Sequence, residues 1–299
     1  MKKESEKWLE SEPLKSKGNL MKKQLIICAD MEGATGIFDE NHKAMIHGTE
    51  EWRNIGREYI TSDVLAVCDA ANEFGIDEIL IYDGHFAGNP EHNILLEKLP
   101  PNAKFFDTPD RCFWWRRIRG QAAWEPYGII TVGQHARYGE KEAYFPHTIQ
   151  SPPIKEIRIN GLHIAEIGTA VLNFYGVKYL ANIGCNASMK EARELSDNVI
   201  TIPIKDKAKG WTPKISETYP IIKAGVLKAL RNREIIKSVV VQEPYEFSIS
   251  LTEGYKFNIP ERISWKGNFE NDKAFWEAPS IEVGLEIFDY VRQYIAKDN

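Results

Sequence analysis

Short apolar runs alternate with longer amphipathic segments along most of the chain. Gln24 to Ala29 is an apolar run of the kind that a strand buried on both faces shows. From Glu50 to Phe74, apolar residues recur at helical spacing, and Gly75 is a typical C-terminal stop. Glu78 to Tyr82 is a second buried strand. Strand, long helix and strand in succession indicate a βαβ unit with parallel strands.

The same alternation continues to about residue 204. A hairpin is predicted at Glu156 to Ile164, because Asn160-Gly161 suits a type I′ turn. The other predicted elements here are strands at Gly128 to Gly133, Tyr179 to Ile183 and Val199 to Ile204, and helices at Ile167 to Tyr175 and Met189 to Leu195.

The pattern changes after Trp211. A helix is predicted from Pro220 to Asn232, and strands at Val239 to Val241 and Phe247 to Leu251. A closing helix would carry on one face the residues Ile281, Leu285, Phe288, Val291 and Ile295. We therefore predict an α/β fold with a mostly parallel central sheet and flanking helices, plus a smaller C-terminal α+β lobe.

Composition narrows the class of protein without naming a function. The 299 residues are 43% hydrophobic and 27% charged, which is ordinary for a folded domain. The net charge of -5 gives no field for nucleic acid or an anionic membrane. No signal peptide or membrane span is evident, so a cytoplasmic protein is expected. The cysteines, Cys28, Cys68, Cys112 and Cys185, are predicted to be buried and reduced.

Polar side chains follow several predicted strands at the point where each one ends. Asp30 and Glu32 come directly after the first strand, and His85 follows the second. His135 follows the third, and Glu166 lies just beyond the hairpin. In open α/β sheets, ligands bind beyond the carboxyl ends of the strands. The five side chains are therefore expected to meet in one site.

Carboxylate oxygens and imidazole nitrogens without thiolates indicate Zn²⁺, with Mn²⁺, Co²⁺ or Fe²⁺ as substitutes. Asp30 and Glu32 are two residues apart, so both can project to the same side of an extended chain. A single catalytic zinc usually has three protein ligands and an open position. Five ligands therefore favour a two-metal site. No phosphate-binding glycine loop is present, which argues against a nucleotide enzyme.

At these residues the chain resembles the D-aminopeptidase family of the DppA type, which are dinuclear zinc aminopeptidases. The matching motifs, in order, are Asp30-Met31-Glu32-Gly33, Asp83-Gly84-His85, Gly133-Gln134-His135-Ala136, His147-Thr148, and Ile159-Asn160-Gly161 with Glu166-Ile167-Gly168. The resemblance is good from about Gln24 to Ile204 and weak beyond it.

The resemblance implies a role for each residue. Asp30 would bridge two zinc ions, Glu32 and His135 would complete one, and His85 and Glu166 the other. His147 would be the catalytic acid and base beside a metal-activated water. The expected reaction is hydrolysis of a small N-terminal peptide or amide bond, with D-amino-acid peptides among the substrates.

Two departures from the family pattern bear on the substrate. Gly184-Cys185-Asn186 stands where the family has G-D-D, and Ala170 stands where an Asn often follows the metal-binding Glu. Fewer carboxylates near the site leave less negative charge to receive a free ammonium group. Hydrolysis of another small amide or cyclic amide is therefore one alternative, and a catalytically inactive, metal-bound oligomeric scaffold is another.

Assembly and domain organisation complete the expectations. The family resemblance implies a ring-shaped homo-oligomer, such as a decamer. The arginine and aromatic stretch 113–119 is expected at an interface or channel wall, and the aromatics at 265–269 and 275–276 at a pocket or subunit contact. We predict an N-terminal extension at 1–22, a metal-binding catalytic domain at 23–210, and a smaller lobe at 211–299 that takes part in pocket or oligomer contacts.

Overall fold

The computed structural model describes residues 22–85, 91–106, 126–259, 265 and 267–298. In chain order its strands are β1 Gln24–Ala29, β2 Glu78–Asp83, β3 Ala103–Phe106, β4 Gly128–Gln134, β5 Ile154–Ile159, β6 Leu162–His163, β7 Tyr179–Cys185, β8 Ile200–Lys205, β9 Tyr245–Leu251, β10 Tyr255–Phe257, β11 Gly267–Phe269, β12 Lys273–Ala278 and β13 Ile295–Lys297. Its α-helices are α1 Arg57–Phe74, α2 Ala165–Leu172, α3 Ser188–Leu195, α4 Ile215–Arg231 and α5 Ile281–Val291. Shorter helical turns are Asp39–Met45, Trp52–Gly56, Leu96–Lys98, Arg233–Ile235 and Arg292–Tyr294.

The central sheet is parallel and doubly wound. Its six strands run in the order β3-β2-β1-β4-β7-β8, and every neighbouring pair is parallel. The chain builds outward from β1 in one direction and from β4 in the other. The carboxyl ends of β1 and β4 therefore border the switch point where open α/β sheets bind ligands. The predicted fold class is confirmed.

Apolar side chains alternate between the two faces of this sheet. On one face, Leu25 and Ile27 pack with Val64 and Val67 of α1 and with the apolar side of α4. On the other face, Ile26 belongs to a second core with α2, α3, α5 and the antiparallel sheet. A strand that is buried on both faces needs apolar residues at every position, which explains the continuous apolar run of β1.

An antiparallel sheet covers the second face, in the order β11-β12-β9-β5-β6. The predicted hairpin is confirmed as β5 and β6, joined by Asn160 and Gly161 with φ of 49° and 80°. The sheet combines strands from both sides of residue 210, and α4 packs on α1. Residues 211–299 therefore contribute to both layers, and the predicted division at 210 is not a break between sheets.

Three predicted elements differ from the structure. The helix predicted at Pro220 begins at Ile215, because Glu217 accepts a hydrogen bond from the backbone N–H of Lys214 (2.9 Å) and caps an earlier turn. Residues 239–241 form no strand, since the only pairing nearby is an isolated bridge from Ser238 to Lys178. The closing helix ends at Val291, and Ile295 instead lies in β13.

Several sequence predictions concern residues outside the described ranges. These are most of the extension at 1–22, the stretch 113–119, Cys112 and Lys266. Cys28, Cys68 and Cys185 are buried free thiols, as predicted. No helix in the described ranges is both long enough and apolar enough to cross a membrane.

A buried hydrogen-bond network ties the segment after β1 to the helices. The Asp63 carboxylate on α1 accepts hydrogen bonds from the backbone N–H (2.8 Å) and the hydroxyl (2.7 Å) of Thr35. The Thr35 hydroxyl also lies 2.9 Å from that of Thr218 on α4. Burial raises the pKa of Asp63 to about 7, and the bonds from Thr35 oppose that rise.

Asp63 gives the protein a testable dependence of stability on pH. A carboxyl whose pKa is raised on folding stabilises the native state at low pH, and this contribution is lost as pH rises from about 4 to about 7. Asp63→Asn should flatten the change in free energy of unfolding across that window. Above pH 7 it should stabilise the chain by on the order of a few kcal/mol relative to the parent.

The measurement is urea unfolding of chelator-treated protein between pH 4 and 8. Asp69→Asn, on the exposed side of the same helix, is the matched control, because it removes a carboxylate without touching the buried network. If the free energy of unfolding of Asp63→Asn changes with pH in parallel with that of the parent, the prediction is contradicted.

Candidate metal centre

The site begins where β1 and β4 end against each other. The Asp30 N–H donates to the Val132 carbonyl (2.8 Å), and the Gly33 N–H donates to the Gly133 carbonyl (2.7 Å). A Cβ on Gly33 would lie 1.9 Å from the carbonyl oxygen of Gln134, so no larger residue fits there. This close contact places the residues that follow β1 beside those that follow β4.

Asp30 lies between two histidines from different strands. Its Oδ1 is 3.5 Å from Nδ1 of His85, and its Oδ2 is 3.4 Å from Nε2 of His135. Glu32 Oε2 lies 2.9 Å from the same His85 nitrogen, and Glu32 Oε1 lies 3.7 Å from Nε2 of His147. Four of the five predicted ligands, together with His147, therefore meet within hydrogen-bonding or ion-pairing distance.

Each of the three histidines is held through its other ring nitrogen by a backbone carbonyl. His85 Nε2 lies 2.8 Å from the Met45 oxygen, and His135 Nδ1 lies 2.9 Å from the Ala136 oxygen. His147 Nδ1 lies 2.9 Å from the Phe145 oxygen. A carbonyl only accepts, so the nitrogen facing it carries a proton, and the opposite nitrogen of each ring faces the carboxylates. Metal-binding histidines show this arrangement.

His147 reaches the site from a constrained loop. Its N–H donates to the Ala136 carbonyl (3.1 Å), and its ring stacks on that of His135 with centroids 4.0 Å apart. Phe145 and Ile149, two residues away on either side, both have a φ of 53°, which is unusual for residues other than glycine. Strained backbone of this kind often occurs at functional sites.

Glu166 enters from the second residue of α2. It lines the same cavity as Asp30, Glu32, His85 and His147; the residue is partly buried, and its Oε2 is fully buried. The preceding residue, Ala165, has a φ of 36° and turns the chain from the hairpin into the helix. Glu166 thus lies on the cavity wall that also holds four of the other predicted site residues.

Buried atoms without hydrogen bonds indicate what the site lacks. Within the described residues, Asp30 Oδ2, His135 Nε2 and Glu166 Oε2 are buried and have no hydrogen-bond partner. A buried polar atom left unpaired costs about 1–3 kcal/mol. A divalent cation would satisfy all three, and oxygen and nitrogen donors without thiolate suit zinc. The residues present therefore fit a metal centre.

In the protein alone, the buried carboxylates of the site lie close enough to raise one another's pKa. Burial and the charge of Glu32 raise the pKa of Asp30 to about 7. Burial and the charges of Asp30 and Glu32 raise the pKa of Glu166 well above its usual range, although His85 and Arg292 oppose that rise. Positive charge is thus favoured among these carboxylates.

The histidines and Glu32 respond to the same surroundings. Burial disfavours the charged form of Glu32, but His85 attracts it strongly enough to hold the Glu32 pKa well below its usual value. Burial likewise opposes protonation of His85, yet Glu32 and Asp30 raise the His85 pKa well above its usual value. Burial lowers the pKa of both His135 and His147.

Most of the chain matches the sequence model of a known family. A sequence model of the D-aminopeptidase family matches residues 23–279. The chain belongs to the D-aminopeptidase family. This confirms the resemblance read from the motifs.

One related sequence and one solved structure illustrate the similarity. A D-aminopeptidase from Bacillus subtilis (strain 168) is 28% identical over 188 residues, which are 61% of this chain and 63% of that relative. The match thus spans less than two thirds of the relative. The Zn-dependent D-aminopeptidase DppA from Bacillus subtilis, described as a self-compartmentalizing protease, superposes with a TM-score of 0.72 at 20% identity, over 91% of this chain and 97% of that chain. At that identity the likeness shows a shared fold.

The two departures from the D-aminopeptidase pattern lie away from the cavity wall. Cys185 is fully buried in a small cluster with Ala136, Ala143 and Tyr144. Asn186 donates from its side chain to Asp206 (3.1 Å). Ala170, within α2, packs against the core.

Other residues support the site without carrying a motif of their own. Asn93, which is 2% exposed, donates through its side chain to Asp83 (3.0 Å) and to the carbonyl of His85. Trp52 Nε1 donates to Asn93 Oδ1 (2.8 Å) and holds it in place. Asp83 is the first residue of the predicted Asp83-Gly84-His85 motif. Its place in that motif was the sequence signal that Asp83 supports His85.

Proposed function

We propose that this chain is a dinuclear zinc aminopeptidase or amidase that hydrolyses the N-terminal peptide or amide bond of a small peptide. The observation that carries the proposal is the set of three histidines, each held by a backbone carbonyl and directed at Asp30 or Glu32, beside buried atoms without partners. The zinc dependence and D-aminopeptidase activity attributed to relatives in the family support it.

The proposed ligands divide between two ion positions. Asp30 directs one oxygen at His85 and the other at His135, as expected of a bridging carboxylate. Glu32 and His135 would complete one ion, and His85 and Glu166 the other. Zinc ions bound there would lower the pKa of a water molecule and polarise the scissile carbonyl.

His147 is proposed as the group that transfers protons. Its Nδ1 holds a proton against the Phe145 carbonyl, which leaves Nε2 free to accept one. The side chain is 17% exposed and lines the cavity, so a bound substrate can approach it. Nε2 could take a proton from the attacking water and return it to the leaving amine. Phe145 and Pro146, which precede it in the chain, line the same cavity.

The test of the function is an assay of the zinc-loaded full chain. D-Ala and L-Ala dipeptides and the corresponding p-nitroanilides are the probes. Cleavage of any of these at the first residue supports the proposal and gives the stereochemical preference. Inactivity on all of them, with zinc bound, would leave two hypotheses: hydrolysis of a different small amide, or a catalytically inactive, metal-bound scaffold.

We expect His147→Gln to lower kcat about 10²- to 10⁴-fold, with two zinc ions still bound. The reason is that Gln keeps a polar side chain but cannot exchange a proton. Kinetics and metal content are measured on the same sample, and His42→Gln, at an exposed position, is the control. His147 also stands with Glu32 and His135 in a group of possible ligands. Loss of one zinc would make His147 a ligand and contradict its catalytic role.

Hydrolysis of a different small amide, including a cyclic amide, is the second candidate. Within the described wall of the cavity, the only carboxylate outside the proposed ligands is Asp289, which is already paired with Arg292. A substrate with a free ammonium group would therefore find no unpaired acid besides those assigned to metal. Activity on blocked or cyclic amides, without activity on dipeptides, would favour this candidate.

We further propose that the chain assembles into a homo-oligomeric ring. The description of its relative as a self-compartmentalizing protease supports this. Phe275 is a large aromatic residue that is 41% exposed on β12, and it is a suitable contact. Light scattering on the full chain measures the oligomer mass.

A further inference from the structure

The cavity beside the candidate metal centre extends beyond the proposed ligands. It has a volume of about 640 Å³. Its wall also includes Thr169 and Asn173 along α2, and Asp289 and Arg292 along α5. None of these four residues belongs to the motifs of the family resemblance.

Asn173 lies on the same face of α2 as Glu166. The spacing from Glu166 to Thr169 and on to Asn173 is three and then four residues, which aligns them along one side of a helix. Asn173 follows the last residue of α2 and keeps helical dihedral angles (φ -59°, ψ -23°). With a rise of 1.5 Å per residue, it lies roughly 10 Å farther along the helix than Glu166.

The Asn173 amide has no hydrogen-bond partner among the residues that the structure describes. The residue is 2% exposed, and both its Oδ1 and its Nδ2 are buried without a hydrogen bond to the described residues. Buried side-chain amides nearly always have partners, because an unpaired one loses its hydration without compensation. An amide that lines a cavity in this state is available to a bound molecule.

Arg292 provides a positive charge on the opposing helix. Its Nε donates to Asp289 Oδ1 (2.8 Å), and this bond orients the guanidinium. Its Nη groups make no hydrogen bond to any residue in the described ranges, and the side chain is 20% exposed. An arginine held through Nε still presents the paired Nη donors that bind a carboxylate.

We propose that Arg292 and Asn173 bind the terminal carboxylate of a short peptide whose first peptide bond lies at the candidate metal centre. This assignment rests on the proposed function and adds two residues that determine specificity. An extended chain advances about 3.3–3.6 Å per residue. The span of roughly 10 Å along the helix from Glu166 to Asn173 therefore corresponds to about three peptide residues. Peptides of two or three residues with a free carboxyl terminus fit this distance.

An ammonium group is a poorer fit at the same place. Asp289 already accepts from Arg292, and the positive guanidinium would repel a second cation. The Asn173 amide accepts either charge, since it has both a donor and an acceptor. The unpaired Nη donors of Arg292 therefore favour binding of a carboxylate over an ammonium group.

The experiment measures binding separately from turnover. Calorimetry on the zinc-loaded full chain carrying His147→Gln compares di- and trialanine, of D and L configuration, as free acids and as carboxamides. The free acid should bind about 10- to 100-fold more tightly than the carboxamide. Arg292→Met in that background should remove this preference, because it weakens binding of the free acid alone. The affinity for the carboxamide should stay within about threefold of its value without Arg292→Met.

Two further variants and a control separate binding from folding. Arg292→Lys should keep part of the preference, because it retains the charge but not the two-pronged donor. Asn173→Asp should reverse the preference, since it puts a negative charge against the carboxylate. Arg193→Met is the control, because that exposed guanidinium bonds to Thr201 on the surface (2.6 Å).

Equal binding of acid and carboxamide would overturn the subsite, and so would a preference that survives Arg292→Met. If the preference is found but the parent chain cleaves none of these peptides, the carboxylate subsite stands and the proposed hydrolysis fails. If the parent cleaves them without the preference, the hydrolysis stands and the subsite fails. A chain that binds none of these peptides contradicts both.

Discussion

Asp30→Asn is expected to reduce the zinc content from two ions to no more than one and to lower kcat/KM by about 10³-fold or more. The substitution preserves shape, and its Oδ1 can still accept the hydrogen bond that the Met31 N–H gives to Asp30 (2.7 Å). It replaces the oxygen that faces His135 with an amide nitrogen, which cannot bind a cation. A residue that bridges two ions affects both, so the loss should exceed that of removing a supporting residue, about 10- to 100-fold.

The same variant should stabilise the metal-free chain. Asp30 lies among Glu32 and Glu166, and the mutual repulsion of these buried carboxylates is relieved when one charge is removed. We expect a gain on the order of 1 kcal/mol in the free energy of unfolding after chelation. Function and stability of the apoprotein should therefore change in opposite directions, which a simple folding defect would not produce.

Asp63→Asn is the matched control for this prediction. It makes the same chemical change at an equally buried position, 1% exposed against 4% for Asp30, but on α1 outside the cavity wall. Zinc content and kcat/KM should be unaffected there. If Asp30→Asn binds two zinc ions as the parent does, Asp30 is not a bridging ligand.

The parts of the fold that the sequence predicts are those with a local cause. β1 and β7 are recognisable because both faces of a central parallel strand are buried, so most of their residues are apolar, although β7 also contains the buried Asn182. The hairpin is recognisable because Asn160 and Gly161 tolerate the positive φ that its turn requires. Helix α1 ends where Gly75 takes a φ of 87°.

Other elements depend on partners that are distant in the chain. β10, β11 and β13 have only three residues each, too few to show a period, and they exist because another strand lies beside them. The three valines of residues 239–241 have high strand propensity but find no neighbouring edge to pair with. The start of α4 was missed because Pro220 reads as a first-turn residue, whereas the helix accepts it in its second turn.

The same distinction between local and distant causes applies to the residues of the candidate site. The six site residues could be predicted because each stands next to a strand end or a turn, in a motif that matches the family. Asn93, Asn173 and Arg292 could not, since their roles arise only when distant segments pack together. Lys205 carried a weak signal, as a lysine at the end of an apolar strand where a charge is costly without partners.

Lys205 organises the segment that carries Glu32. Its ammonium group is fully buried and donates to the carbonyl oxygens of Glu32 (2.6 Å), Ala34 (3.1 Å) and Ile37 (2.5 Å). An ammonium group has three donors, so all of them are used. Burial lowers the pKa of Lys205 to about 8, and the nearby acids Asp63, Glu32 and Asp30 oppose that shift.

We therefore expect Lys205→Met to be the most destabilising of the substitutions considered. Methionine preserves most of the apolar stem but removes the donor shared by three buried carbonyl oxygens. The Ala34 oxygen keeps the backbone N–H of Ile37 (3.4 Å), and each oxygen left without a donor costs about 1–3 kcal/mol. Relief of the buried charge offsets part of that, so the net loss should be on the order of 3–5 kcal/mol in urea unfolding. Because Glu32 belongs to the released segment, zinc affinity should also fall about 10- to 100-fold.

Lys209→Met tests whether these losses belong to the buried network. Lys209 lies on the same segment after β8, its side chain is 79% exposed, and its ion pair with Asp206 is 3.5 Å long, so stability should change by less than about 0.5 kcal/mol. A Lys205→Met chain that unfolds at the parent's urea concentration would show that water or a shifted backbone replaces the three bonds. Normal stability with weakened zinc binding would instead confine the role of Lys205 to the position of Glu32, and the two measurements together separate folding from metal binding.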